Sequence, residues 1–224
     1  MGGDDSGTAG ESGAEKGAAA WDARYDALDS PFGDDPTAGL VMALAHPLVA
    51  PTLAPGDTAL ALADGDGRNG SWLATRGLAV TAVDLSPRAR ALAEARDRAR
   101  GVSVRRLTAD LAAWRAGTAA RLVTLQFLQG PPPLRHAALA AAVAAVAPGG
   151  WLYLEGFATR ETGAPAPPDG PGPTQAHHRW DPGALVEILA PLGIVEALTG
   201  PVALADGPRH LGPGHVLRLL ARRR

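Results

Sequence analysis

From residue 58 onward the chain alternates short apolar runs with longer amphipathic stretches. Residues 58–63, 79–84, 102–107, 121–126 and 151–157 are rich in Leu, Val and Ala and are bounded by Gly, Pro or Asp, which predicts buried strands. Between them, 69–76, 87–100 and 133–146 have helical length and apolar spacing. Ser86 suits an N-cap, Pro87 a first helical turn and Gly101 a helix end. Strands separated by helices predict a parallel sheet with right-handed crossovers. A ligand of such a sheet belongs at the carboxyl ends of the strands, where Asp64, Asp84, Asp110 and Gln126 all fall.

The flanks read differently. A short helix with interleaved aromatic and charged residues is expected at 21–28, a turn at 30–36, and a second helix over 38–44 that ends before Pro47 or Pro51. The first twenty residues, rich in Gly, Asp, Ser and Glu, read as a disordered tail. Residues 160–179 carry Pro165, Pro167, Pro168, Pro171 and Pro173 without apolar periodicity, so they form a long loop, of a length often used as a lid. A helix follows at 181–192, then strands at 194–198 and 215–220. Only the turn-rich Asp206-Gly207-Pro208 region separates those two strands, which suggests an antiparallel pair. The expected organisation is a tail (1–20) and one domain (21–224). The domain divides into a helical cap (21–56), a cofactor-binding core (57–157), the Pro/Gly-rich loop (158–180) and a C-terminal helix and hairpin (181–224).

Composition narrows the classes. A length of 224 residues suits one α/β domain and is too short for a dinucleotide domain plus a sizeable substrate domain. A net charge of -2 argues against a nucleic-acid surface, and the absence of cysteine excludes thiolate chemistry, disulfides and cysteine-held metal. The apolar stretch 137–147 falls short of the about 20 residues a membrane span needs. A soluble cytoplasmic protein, monomeric or weakly dimeric, is expected, without nucleic-acid or membrane partners.

The chemistry concentrates in LALADGDGRNG, which begins at Leu60. Gly65-x-Gly67-x-x-Gly70, with Asp84 nineteen residues after Gly65, matches the dinucleotide fingerprint. The same residues fit an adenosine cofactor without a pyrophosphate, such as S-adenosylmethionine. The turn alone leaves both open.

The ordered series of motifs resembles a class I S-adenosylmethionine-dependent methyltransferase of the small-molecule group that includes the tellurite-resistance and thiopurine enzymes. It comprises Trp21-Asp22-x-Arg24-Tyr25, Phe32-Gly33, the turn 62–69, Val80 to Ser86, Ala109-Asp110-Leu111 and Pro148-Gly149-Gly150 with the strand after it. That resemblance implies a Rossmann-like three-layer α/β sandwich with a seven-stranded, mostly parallel sheet in the order 3-2-1-4-5-7-6, strand 7 antiparallel. The final hairpin read above is what this fold requires, and a dinucleotide enzyme has no need of it.

It also implies roles. Ala63, Asp64, Gly65 and Gly67 would pass under the methionine part of S-adenosylmethionine, with Asn69 capping the next helix. Asp84, beside Leu85, would accept hydrogen bonds from both ribose hydroxyls. Asp110 and Leu111 would meet the adenine edge, and Gln126 would line the pocket after strand four. Trp21, Arg24, Tyr25, Phe32 and Phe127 are the candidates for the acceptor pocket, although Trp21 and Tyr25 would equally dock a helix on the core. Arg24 could pair with the cofactor carboxylate or an anionic substrate, and Arg68 could bind that carboxylate or face solvent. Many relatives carry an acid where this chain has Ala61 and a glycine where it has Ala63, which implies a lower cofactor affinity unless the nearby Asp64 and Asp66 supply the missing charge. His177, His178, His210 and His215 are read as solvated or turn-stabilising residues, one of which could serve as a general base; no metal site is expected. The expected activity is methyl transfer to a small-molecule acceptor by in-line displacement. The alternatives are a cofactor-binding protein with weak or lost catalysis and a dinucleotide-dependent oxidoreductase.

Overall fold

The computed structural model describes residues 13–28, 30–160 and 170–224. The expectations for residues 1–12 and for the centre of the Pro/Gly-rich segment, 161–169, lie outside the described residues.

The first helix, α1 (Gly13–Asp26), begins well before Trp21, so residues 13–20 are helical where a disordered tail was expected. Its alanines favour helix, and Gly17 brings the backbone close to the Leu85 side chain. Asp22 ties α1 to the rest of the fold by accepting hydrogen bonds from the Ser86 hydroxyl and the Arg88 amide. Next comes α2 (Ala38–Ala45), whose first turn is capped by Thr37 Oγ1, accepting from the Leu40 amide at 3.3 Å.

Then the alternation runs as the hydrophobic pattern predicts. The elements are β1 (Thr58–Leu62), α3 (Arg68–Thr75), β2 (Ala79–Asp84), α4 (Pro87–Arg100), β3 (Arg105–Thr108), β4 (Ala120–Gln126), α5 (Pro132–Ala145) and β5 (Val146–Phe157). Ser86 Oγ accepts from the Ala89 amide, and Gly101 ends α4 in a left-handed conformation, both as the sequence indicates. All pairings among β1 to β5 are parallel. Alternate strand residues face opposite sides: Leu60, Leu62, Leu152 and Leu154 belong to one apolar cluster, Ala59, Ala61, Trp151 and Tyr153 to the other. A parallel sheet covered on both faces needs this arrangement.

The C-terminal part departs from expectation in extent. The helix expected over 181–192 is a 3-10 turn at Pro182–Leu185 followed by the short α6 (Val186–Leu189). Pro182, Gly183 and Pro191 leave little room for a longer one, and the Asp181 carboxylate caps the Gly183 amide instead, at 3.0 Å. By contrast β6 (Gly193–Ala205) and β7 (Leu211–Arg222) are much longer than expected. Pro201 and Pro213 obscure them in the sequence, but β6 is an edge strand, and β7 pairs with β5 only from Val216 onward. The sheet order is β3-β2-β1-β4-β5-β7-β6, with β7 antiparallel to both neighbours. Because β5 ends at Phe157 opposite Val216, the rest of the hairpin projects past the carboxyl end of the sheet, carrying the turn at Asp206 to His210.

Candidate active site

After Leu62 the backbone turns sharply: Ala63, Gly65 and Gly67 have φ of 54°, 56° and 83°, and Gly67 opens α3 without a side-chain cap. The left-handed region costs a residue with a Cβ about 1–2 kcal/mol. Ala63→Gly is therefore expected to raise stability by about 1 kcal/mol in urea unfolding; no gain would show that the turn carries no strain there. Gly65 is needed for a second reason, since a Cβ at this position would collide with the Tyr25 hydroxyl.

The Gly65 amide donates to Asp84 Oδ2 at 2.8 Å and the Ser86 amide to Oδ1 at 2.9 Å. Each carboxylate oxygen thus accepts from a backbone amide, with the Leu85 amide a further donor to the group, on a residue that lines the cavity. Burial pushes the Asp84 carboxyl above the usual range, against the pull of the backbone amides from Ser86 and Gly65.

Beneath the turn lies an ionic network. Asp64 accepts from the Gly70 amide at 2.8 Å and from Arg106 at 2.9 Å. Arg106 forks onto both Asp97 oxygens at 2.7 and 2.9 Å and reaches Ser71 Oγ at 3.0 Å. Two carboxylates share one guanidinium, and burial pushes Asp64 up to about 6 despite that partner. A Cβ at Gly70 would collide with the Asp64 carboxylate, so this third glycine serves the network. Asp66 pairs with Arg96 at 3.1 Å. Both acids that could have replaced the charge missing at Ala61 are therefore already partnered.

The cavity lies over the carboxyl ends of β1, β2 and β4. It is lined by nine of the ten residues expected at the cofactor, Ala63, Asp64, Gly65, Asn69, Asp84, Leu85, Asp110, Leu111 and Gln126; the tenth, Gly67, lies outside its wall. Trp21, Tyr25, Phe32 and Phe127 line it as well, whereas Arg24 faces an adjoining vestibule, its guanidinium 4.4 Å from the centre of the Trp21 ring. Tyr25 is buried, and burial, followed by Asp84, Asp66 and Asp64, raises its phenol well above the ordinary value, so the hydroxyl stays neutral.

Several side chains do something other than the sequence suggests. Asn69 is inside α3 and does not cap it; its Oδ1 accepts from the Thr37 amide at 2.9 Å. Gln126 Nε2 donates to Thr37 Oγ1 at 2.6 Å, and the buried Glu155 accepts from Arg218 at 2.7 Å. The two bonds to Thr37 pin the start of α2 to α3 and to the end of β4, while the Glu155–Arg218 bond joins β5 to β7. Arg68 is buried, donates to the carbonyls of Phe32 and Asp206 and pairs with the Asp206 carboxylate at 3.8 Å, so the solvent-facing reading is corrected. Asp110 accepts from the Ala112 amide at 2.9 Å, the chain-turning use of an acid at a strand end.

The sequence reading of His210 as solvated or turn-stabilising is corrected by its burial. The residue is 2% exposed, and its ring centre lies 4.9 Å from Phe32, 4.5 Å from Phe127 and 5.3 Å from Phe157. Phe127 has a φ of 49°, an uncommon conformation for a bulky residue. Neither ring nitrogen of His210 has a protein hydrogen-bond partner. Burial, with a smaller contribution from Arg68, lowers its imidazole to about 3. No local pattern marks this residue, because the projecting hairpin alone brings it here. Sequence reasoning missed Leu128 and Gln129, which follow the expected Phe127 directly, and Leu134 in α5.

The depressed imidazole gives a pH prediction. Below its unfolded value of 6.5 the unfolded chain binds a proton that the folded chain refuses until about pH 3, so this group's contribution to stability falls as pH falls. Between pH 6 and 4.5 the protein is expected to lose about 2 kcal/mol more than His210→Phe, at about 1.4 kcal/mol per pH unit. Urea unfolding of both proteins at the two pH values checks this, since Asp64, whose contribution has the opposite sign, is common to both. Equal losses would contradict the buried neutral imidazole.

Residues 59–150 match a family model described as a methyltransferase domain. No curated protein sequence matches the chain. Among solved structures, TehB from Haemophilus influenzae is similar over 83% of this chain at 15% identity and a TM-score of 0.65; the alignment spans 61% of TehB. The magnesium protoporphyrin IX methyltransferase ChlM from Synechocystis PCC 6803, solved with bound SAM, matches over 97% of this chain and 100% of its own at 17% identity and a TM-score of 0.68. A structure concerned with converting a disulfide bond into a thioacetal group during echinomycin biosynthesis matches over 92% and 91% at 22% identity and a TM-score of 0.67. Identities this low show a shared fold, while the domain match covers the glycine turn, Asp84, Asp110 and Gln126. Over residues 59–150 the chain is thus similar to a methyltransferase domain, and it shares its fold with solved S-adenosylmethionine-dependent methyltransferases.

Proposed function

We propose that the protein methylates a small-molecule acceptor by in-line displacement, with S-adenosylmethionine held at the turn and Asp84. The carrying observation is the Asp84 carboxylate, fixed by two backbone amides and lining a cavity whose glycine floor admits no Cβ at residue 65. Two carboxylate oxygens suit two vicinal hydroxyls. When bound, the cofactor supplies an electrophilic methyl group on a sulfonium; the acceptor lone pair takes the methyl carbon, the carbon–sulfur pair stays on sulfur, and any acceptor proton leaves to solvent.

The chain's own residues then have positioning work. Asp84 would hold the ribose, Leu85 and Leu111 would flank the adenine, and Asp110 would meet its edge. Ala63 to Gly67 would lie under the methionine part. Trp21, Tyr25, Phe32 and Phe127 would exclude water and orient the acceptor, where positioning can contribute about 7–11 kcal/mol of the barrier.

Thermal unfolding with S-adenosylhomocysteine tests the cofactor reading. A ligand at 100 times its Kd stabilises by about 2.7 kcal/mol, and no shift would reject the reading. Release of S-adenosylhomocysteine from a metabolite panel then identifies the acceptor. Among the described residues no helix is long and apolar enough to cross a membrane.

A further inference from the structure

Beside the cofactor cavity lies a second, wider depression. The two share Trp21, Phe32, Gln129 and His210, which stand as a neck between them. The described residues of the outer depression include Arg24 and Arg209 and no carboxylate. Two acids of α1 have partners elsewhere: Asp22 engages Ser86 and Asp26 pairs with Arg88 at 2.6 Å. At the neck, His210 is enclosed by three phenylalanine rings and leaves both ring nitrogens without a protein partner. A buried polar group in that state is costly unless something else pairs with it.

We propose that this neck and vestibule form the acceptor site, and that the acceptor is a small organic anion with a flat apolar body. Its charge lies at Arg24 and Arg209, its body between Trp21 and Phe32, and its reacting end beside His210. This rests on the methyl-transfer reading above. Burial and Arg68 keep His210 neutral, which makes it a hydrogen-bond partner with one N–H and one lone pair, and a poor proton acceptor. The acceptor must therefore be nucleophilic without giving a proton to this residue.

The test uses benzoate, benzamide and benzylamine, titrated into the full-length protein saturated with S-adenosylhomocysteine and followed by ligand-observed NMR. Benzoate is expected to bind at least about tenfold more tightly than benzylamine, with benzamide between them. Arg209→Gln, an exposed change that spares the fold, and His210→Phe, which fits the aromatic surround, are each expected to weaken benzoate about five- to tenfold. Arg209→Gln, which lies outside the cofactor cavity, should bind S-adenosylhomocysteine as the parent does in calorimetry. Benzylamine binding as well as benzoate, benzoate indifferent to both substitutions, or no benzoate binding to the loaded protein would each overturn the anionic-acceptor inference and leave the cofactor reading standing. Absence of S-adenosylhomocysteine binding to the parent protein would overturn the cofactor reading itself.

Discussion

Asp84→Ala is expected to weaken S-adenosylhomocysteine binding by at least about a hundredfold, since two hydrogen bonds to a charged acceptor, at about 1.5–3 kcal/mol each, are lost together. The fold should survive. The lost carboxylate also leaves the Gly65 and Ser86 amides without an acceptor, which costs about 1–3 kcal/mol in stability. Asp84→Asn separates the two effects, because its amide oxygen still accepts one bond while the charge is gone. Its affinity should lie between those of the parent and the alanine variant. Calorimetry gives the answer directly, and an unchanged Kd for Asp84→Ala would reject the ribose role.

Arg106→Met should produce the largest loss of stability of any single substitution near the site. It leaves Asp64 and Asp97 buried without their shared guanidinium, and removing one partner of a buried ion pair costs about 3–5 kcal/mol. The loss should fall when Asp97→Asn is added to the same chain, because one uncompensated charge then disappears. Urea unfolding of the single and double variants measures both. A loss under about 1 kcal/mol would mean that the two carboxylates find other partners, and the network would not be what holds the turn from below.

Much of the fold is legible in the chain because its signals are local. The bounds of β2 and α4 follow from apolar runs and from Ser86, Pro87 and Gly101, each of which acts within one turn of its own position. The candidate cofactor residues are legible for the same reason: in a parallel sheet the carboxyl end of every strand faces one side, so Asp64, Asp84, Asp110 and Gln126 are brought together by topology. The hairpin was harder to read. Proline at 201 and 213 looks like punctuation, and only the free edge of β6 and the unpaired stretch of β7 beyond β5 make it tolerable.

Side-chain partners across the sheet were not legible at all. Asn69 looks like a cap, yet Thr37 takes it; Arg68 looks solvated, yet Phe32 and Asp206 bury it. The sequence by itself determined the alternating α/β order, the glycine turn and the acids at the strand ends, since these depend on neighbours along the chain. Tertiary structure alone decided that Asp64 and Asp66 are consumed by Arg106 and Arg96, and that His210 reaches the cavity. Those outcomes depend on where separate elements meet, and the hairpin that delivers His210 is positioned by its pairing with β5, through bonds that no local pattern of residues encodes.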